Sequence, residues 1–160
     1  MMDMSAKRIM LFGMGDVCYD IISSFNSKLK EYLENKGIAV DLINVNGRTG
    51  YSRDIVECFE KNSYAAAISF NSAGEGVIKG KDGINLFDHY NVPYYLFLLD
   101  HPMDHYVKIV NGPDNMHVIC IDRDHVDYVR KLRPDTEEFT LSFPEEWKQM
   151  VLKTYLRQIF

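Results

Sequence analysis

Long apolar runs are missing from this chain. No stretch approaches the ~20 consecutive apolar residues that a bilayer-spanning helix requires, and the opening segment MMDMSAKRIMLF is broken by Asp3 before a leader-like apolar core can form. A basic excess is missing too. Acidic residues number 23 against 18 lysines and arginines, a net charge of −5, whereas a surface that neutralises a phosphate backbone needs the opposite balance. No nucleic-acid partner and no membrane span are expected. Cysteine is scarce: Cys18, Cys58 and Cys120 are odd in number, far apart and in no CxxC pair. They read as buried thiols in a reducing, cytoplasmic compartment. Two catalytic signatures are also lacking, the phosphate loop G-x-x-x-x-G-K-[ST] and the Gly-x-Ser-x-Gly nucleophile elbow.

What is present is the patterning of one globular domain. Hydrophobic residues make up 46% and charged residues 26% of the 160, proportions that favour a folded core over disorder. Apolar strand-like runs alternate with helical periodicity. IMLF (Ile9 to Phe12) precedes a helix from Val17 that closes at Asn35-Lys36-Gly37. IAVDLINV (Ile38 to Val45) precedes a short helix over Asp54 to Lys61. YAAAISF (Tyr64 to Phe70) ends in the glycine-rich NSAGEGVIKGKDG, followed by a short helix over Ile84 to Tyr90. A fourth strand runs from Val92-Pro93 to near Leu99, with a helix over Met103 to Val110. HVICID (His117 to Asp122) is a fifth, before a helix over Arg123 to Leu132. FTLSF is a last short strand, and a closing helix covers about 145–160.

This alternation predicts an α/β fold, a three-layer α/β/α Rossmann-like sandwich with a mainly parallel sheet of about five strands, occupying residues 1–160 as a single domain. The expected order is 3-2-1-4-5, with the flavodoxin-like 2-1-3-4-5 as the alternative. Ligands of such sheets bind beyond the carboxyl ends of the strands. That places Gly13 to Asp16, Asn44 to Gly47, Asn71 to Gly76, Asp100 to His105 and Asp122 to Asp124 on one rim.

Each address carries a functional and a plain reading. Gly13, Gly15 and Asp16 open like a dinucleotide fingerprint, but Cys18 stands where the third glycine belongs and Asp16 puts a carboxylate where a pyrophosphate wants open amides. The plain alternative is a tight strand-to-helix turn. Asn71, Ser72 and Glu75 can hydrogen-bond sugar hydroxyls, with glycine amides nearby for close approach. Asp100, His101, Asp104 and His105 contain two imidazoles four apart, a metal-like spacing. Pro102 forces His101 out of helical geometry, however, so the pair diverges. Asp100 or His101 then caps the helix that Pro102 starts, or keeps that cap and also meets a ligand as donor or general base. Asp122 reads most simply as a helix cap. Trp147, Val151, Leu152, Tyr155, Leu156, Ile159 and Phe160 make the closing helix strongly apolar, as expected of a segment docked across the sheet or against a second domain or subunit.

The phrases SFNSAGEG, HYNVPYYLFLLDHPMDHY and HVICIDRDHVDYV together resemble the N-terminal Rossmann-like half of a family of bacterial GT-B glycosyltransferase-like proteins. The likeness covers roughly residues 7–133, and Asp100-His101-Pro102 is its most specific piece. It implies a transferase moving sugar from a nucleotide-sugar donor to a glycan acceptor, with no metal or other cofactor. This half would face the acceptor across a cleft. Asn71, Asp100 and His101 match the family positions, with His101 as candidate base, or as an orienter held by Asp100. No donor-binding second Rossmann domain follows in this sequence, so the expectation is an acceptor-side domain that depends on a second domain or on self-association through the closing helix. A non-catalytic Rossmann-like binding or assembly module is the alternative.

Overall fold

The computed structural model describes residues 8–13, 21–45 and 50–140. Six strands form one sheet: β1 (Arg8–Gly13), β2 (Ala39–Asn44), β3 (Ala66–Phe70), β4 (Tyr94–Leu98), β5 (Met116–Cys120) and β6 (Glu137–Thr140). Every neighbouring pair is parallel, in the order β2-β1-β3-β4-β5-β6. The connecting helices are α1 (Ile21–Asn35), α2 (Tyr51–Lys61), α3 (Leu86–His89), α4 (Tyr106–Val110) and α5 (Arg123–Leu132), with 3-10 turns at Glu75–Val77 and Pro102–His105.

The α/β class is as read from the sequence, but the order 3-2-1-4-5 is not. The sheet takes the flavodoxin-like order with a sixth strand added beside β5. The reason is visible in the side chains. Asp41 and the 47% exposed Leu42 suit β2 to an edge, where Arg8 (2.6 Å) and Tyr64 (2.5 Å) satisfy the Asp41 carboxylate. β3 carries only small or apolar residues and no charge, which suits it to the sheet interior between β1 and β4.

Alternation along the strands divides the core between two faces. On the first, Met10, Phe12, Tyr94, Leu96, Leu98, Val118 and Cys120 pack against α2, α3, α4 and α5 through Phe59, Phe87, Ile109 and Val129. On the second, Leu11, Val40 and Phe70 pack against Ile22, Phe25 and Leu33 of α1. Each such apolar side chain, fully buried, is worth roughly 1.5–3 kcal/mol. α1 ends in a Schellman turn: Gly37 sits at φ 76°, Gly37 N–H donates to Glu34 O (2.9 Å) and Ile38 N–H to Leu33 O (3.0 Å). Asp122 caps α5, accepting from Asp124 N–H at 2.8 Å. Cys120 is buried, whereas Cys58 is only partly so.

No helix among the described residues is long and apolar enough to cross a membrane. The closing helix read over 145–160, Cys18, and Gly15 and Asp16 lie outside the described residues.

Candidate functional site

In the observed order the chain leaves β1 toward β2 in one direction and continues from β3 toward β6 in the other. The carboxyl ends of β1 and β3 therefore flank the switch point, where sheets of this kind hold ligands. Gly13 ends β1 there, opposite Asn44; an added Cβ would stand 3.2 Å from Leu42 Cδ1. Asn26 of α1 donates to the adjacent Phe12 carbonyl at 2.9 Å.

Across the gap, β3 stops abruptly. Asn71 and Ser72 both adopt left-handed backbone, φ 58° and 43°, and both are buried. Side chains other than glycine's disfavour this region by about 1–2 kcal/mol each, asparagine least. The turn is held from several directions. Asn71 N–H continues the ladder to Phe97 O (2.8 Å). Its side-chain oxygen accepts from Leu99 N–H (2.8 Å), and its Nδ2 donates to Asp100 Oδ2 (2.8 Å). Lys108 of α4 donates to the carbonyls of Asn71 (3.2 Å) and Ser72. Asn71 thereby ties the tip of β3 to the tip of β4.

Below the turn sits Glu75, wholly buried. Tyr94 donates to its Oε1 (2.9 Å) and Ala73 N–H to its Oε2 (2.8 Å). Gly74 N–H donates to Ser72 Oγ (3.1 Å). Gly76 must lack a side chain, since a Cβ would lie 2.9 Å from Tyr94 Cε1 and Cζ. Burial, then the neighbouring Glu75 charge, pushes the Tyr94 hydroxyl well above its ordinary pKa; the same two causes raise Tyr51. Burial lowers the Lys108 ammonium, against the pull of the Glu75 and Asp100 carboxylates.

The histidine that faces Asp100 is His105. Its ring is buried, its Nδ1 lies 3.3 Å from Lys108 Nζ, and its Nε2 has no hydrogen-bond partner, standing 4.0 Å from Asp100 Oδ2. An ammonium can only donate. Nδ1 is therefore the acceptor, and the neutral ring carries its proton on Nε2, aimed at the carboxylate. Burial first, then Lys108, lowers the His105 pKa, with Asp100 and Asp104 opposing. The Asp100 side chain is 45% exposed, so the carboxylate is anchored at one oxygen and open at the rim.

His101 is placed differently. It caps the 3-10 turn, its Nδ1 accepting from Met103 N–H (3.1 Å), and Pro102 follows as the cap reading expects. Its exposed ring stands edge-on to His125 (4.9 Å) and Tyr128 (5.2 Å). The structure thus brings Asn71 and Asp100 together, turns Ser72 and Glu75 inward, and sets His101 against α5. Sequence reasoning missed Lys108 and Tyr94, and weighed His105 only as half of a metal-like pair with His101. His105 was read as part of one helix from Met103, whereas the tighter 3-10 winding over Pro102–His105 rotates it inward. Among the described residues no three His, Cys, Asp or Glu side chains gather as a metal site. A scan against protein-family models and a search of curated proteins found no match.

Proposed function

We propose that this rim is the acceptor side of a GT-B-type glycosyl transfer site, with Asp100 as the general base. An acceptor hydroxyl hydrogen-bonds the open carboxylate oxygen. As its oxygen attacks the anomeric carbon of a nucleotide-activated sugar, the bond to the nucleotide phosphate breaks and the hydroxyl proton passes to Asp100. Asn71 fixes the carboxylate, and His105 Nε2 faces it from the buried side at 4.0 Å. The donor is held by a second domain, so the reaction depends on that partner. His101 contributes at most a contact on the outer side of the same turn. The observation that supports this reading is a half-exposed carboxylate tethered at 2.8 Å by a buried asparagine and faced by a buried imidazole nitrogen without a partner.

A thermal-shift panel of nucleotide sugars, free nucleotides and simple glycans tests it. A ligand at a hundredfold excess over Kd stabilises the fold by about 2.7 kcal/mol. Glycans are expected to raise the melting temperature, Asp100→Asn to abolish the shift, and His101→Ala to retain it. Silence across the panel, or a shift undiminished in Asp100→Asn, would overturn the proposal. A second reading, an assembly module without catalysis, is favoured by the exposed Met103, Tyr106, Val107 and Val110, spaced three and four apart along one side of the 3-10 turn and α4. Ligand silence combined with concentration-dependent sedimentation would select it.

A further inference from the structure

Among the described residues the two faces of the sheet are covered unequally. Strands lie about 4.8 Å apart, so six of them span about 24 Å, and a helix with its side chains is about 10–12 Å across. The first face carries α2, α3, α4 and α5. Among the described residues the second carries α1 alone, packed over β1 and β2, with Phe25 reaching β3 by stacking on Phe70 at 5.7 Å. Beyond Phe70 an apolar row continues outward: Phe97, at 5.0 Å ring to ring, then Ile119, then the register position of Phe139. The row beside it holds Tyr95 stacked on His117 at 4.6 Å. Parallel sheets are buried on both faces. Ile119 is only 8% exposed, yet it joins neither core cluster of the described residues.

We propose that this half-face, over β4 to β6, is the docking surface for the chain's own segment 141–160. That segment begins directly after Thr140, at the carboxyl end of the strand that borders this half-face. Its sequence places Trp147, Val151, Leu152, Tyr155 and Ile159 on one helical face, interrupted by Lys148, with Glu146, Lys153 and Arg157 opposite. Sixteen helical residues reach about 24 Å, enough to run the length of a five-residue strand of about 17 Å. Among the described residues the first face is already lined by four helices.

Trp147 is the sole tryptophan, so its emission in the full chain reports on the docking. The expected result is emission blue-shifted from that of the urea-unfolded chain, poor quenching by acrylamide, and neither changing over a hundredfold dilution. Ile119→Glu should red-shift the emission with far-UV circular dichroism retained, whereas Tyr32→Glu, on the exposed side of α1, should not. Tyr95→Ser is the milder variant should Ile119→Glu fail to fold. Three results would overturn the proposal. They are a wild-type spectrum and quenching like those of the unfolded chain, a blue shift lost on dilution (which assigns the face to a second copy), or folded face variants with an unchanged spectrum.

Discussion

Asn71→Ala is the most informative single substitution at the rim. It deletes the donor to Asp100 and the acceptor of Leu99 N–H, and it leaves alanine at φ 58°. The Asp100 bond involves a half-exposed carboxylate and contributes on the order of 1 kcal/mol. An unsatisfied Leu99 N–H costs about 1–3 kcal/mol, and alanine in left-handed backbone about 1 kcal/mol more than asparagine. The sum, about 3–5 kcal/mol, is a large share of the 5–15 kcal/mol that holds a typical domain together. Urea unfolding followed by circular dichroism reads this as a lower midpoint at unchanged slope. Asn71→Gly removes the same hydrogen bonds but not the backbone freedom, so it should recover on the order of 1 kcal/mol of the loss. A loss below about 1 kcal/mol in Asn71→Ala would refute the view that this side chain joins the two strand tips.

Acid sensitivity is the next expectation. The His105 pKa lies below the ordinary histidine value in the folded chain, so below about pH 6.5 the unfolded chain takes up a proton that the folded one resists. Stability attributable to this residue is present above that pH and declines as pH falls toward the folded pKa. Urea midpoints measured across this range should flatten in His105→Gln. Gly76→Ala drives a methyl to 2.9 Å from the buried Tyr94 ring and should lower stability by about 1–3 kcal/mol; a melting temperature matching wild type would show that the ring yields.

Where local chemistry decides, the sequence was readable. α5 begins and ends where its periodicity places it, because Asp122 caps one end and Arg133-Pro134 follows the other. Asn71 and Asp100 were legible as rim residues because each stands at the polar end of an apolar strand. Strand order is a relation between distant segments. It was misjudged although one signal was available, the charged Asp41 inside β2, which belongs at an edge. His105 was read on the rim, but its turn toward the interior was not foreseen, for a subtler reason. A change from 3.6 to 3.0 residues per turn leaves composition untouched yet rotates a side chain from surface to interior. Lys108 and Tyr94 passed as an ordinary helix lysine and core aromatic, since their importance lies in partners 36 and 19 residues earlier.

Asn71, Asp100, His105 and Lys108 all come from one connection, the stretch from the end of β3 through β4 to α4, with bonds spanning 29 and 37 residues. Loop closure grows only logarithmically with length, and contacts of short separation form early relative to distant pairings. The polar knot therefore closes as soon as β3 and β4 meet, without waiting for β1 to slide in beside β3 with β2 on its far edge. The groups proposed to meet the acceptor thus also pin the register of β3 on β4, a pairing that spans fewer residues than the one that brings β1 beside β3.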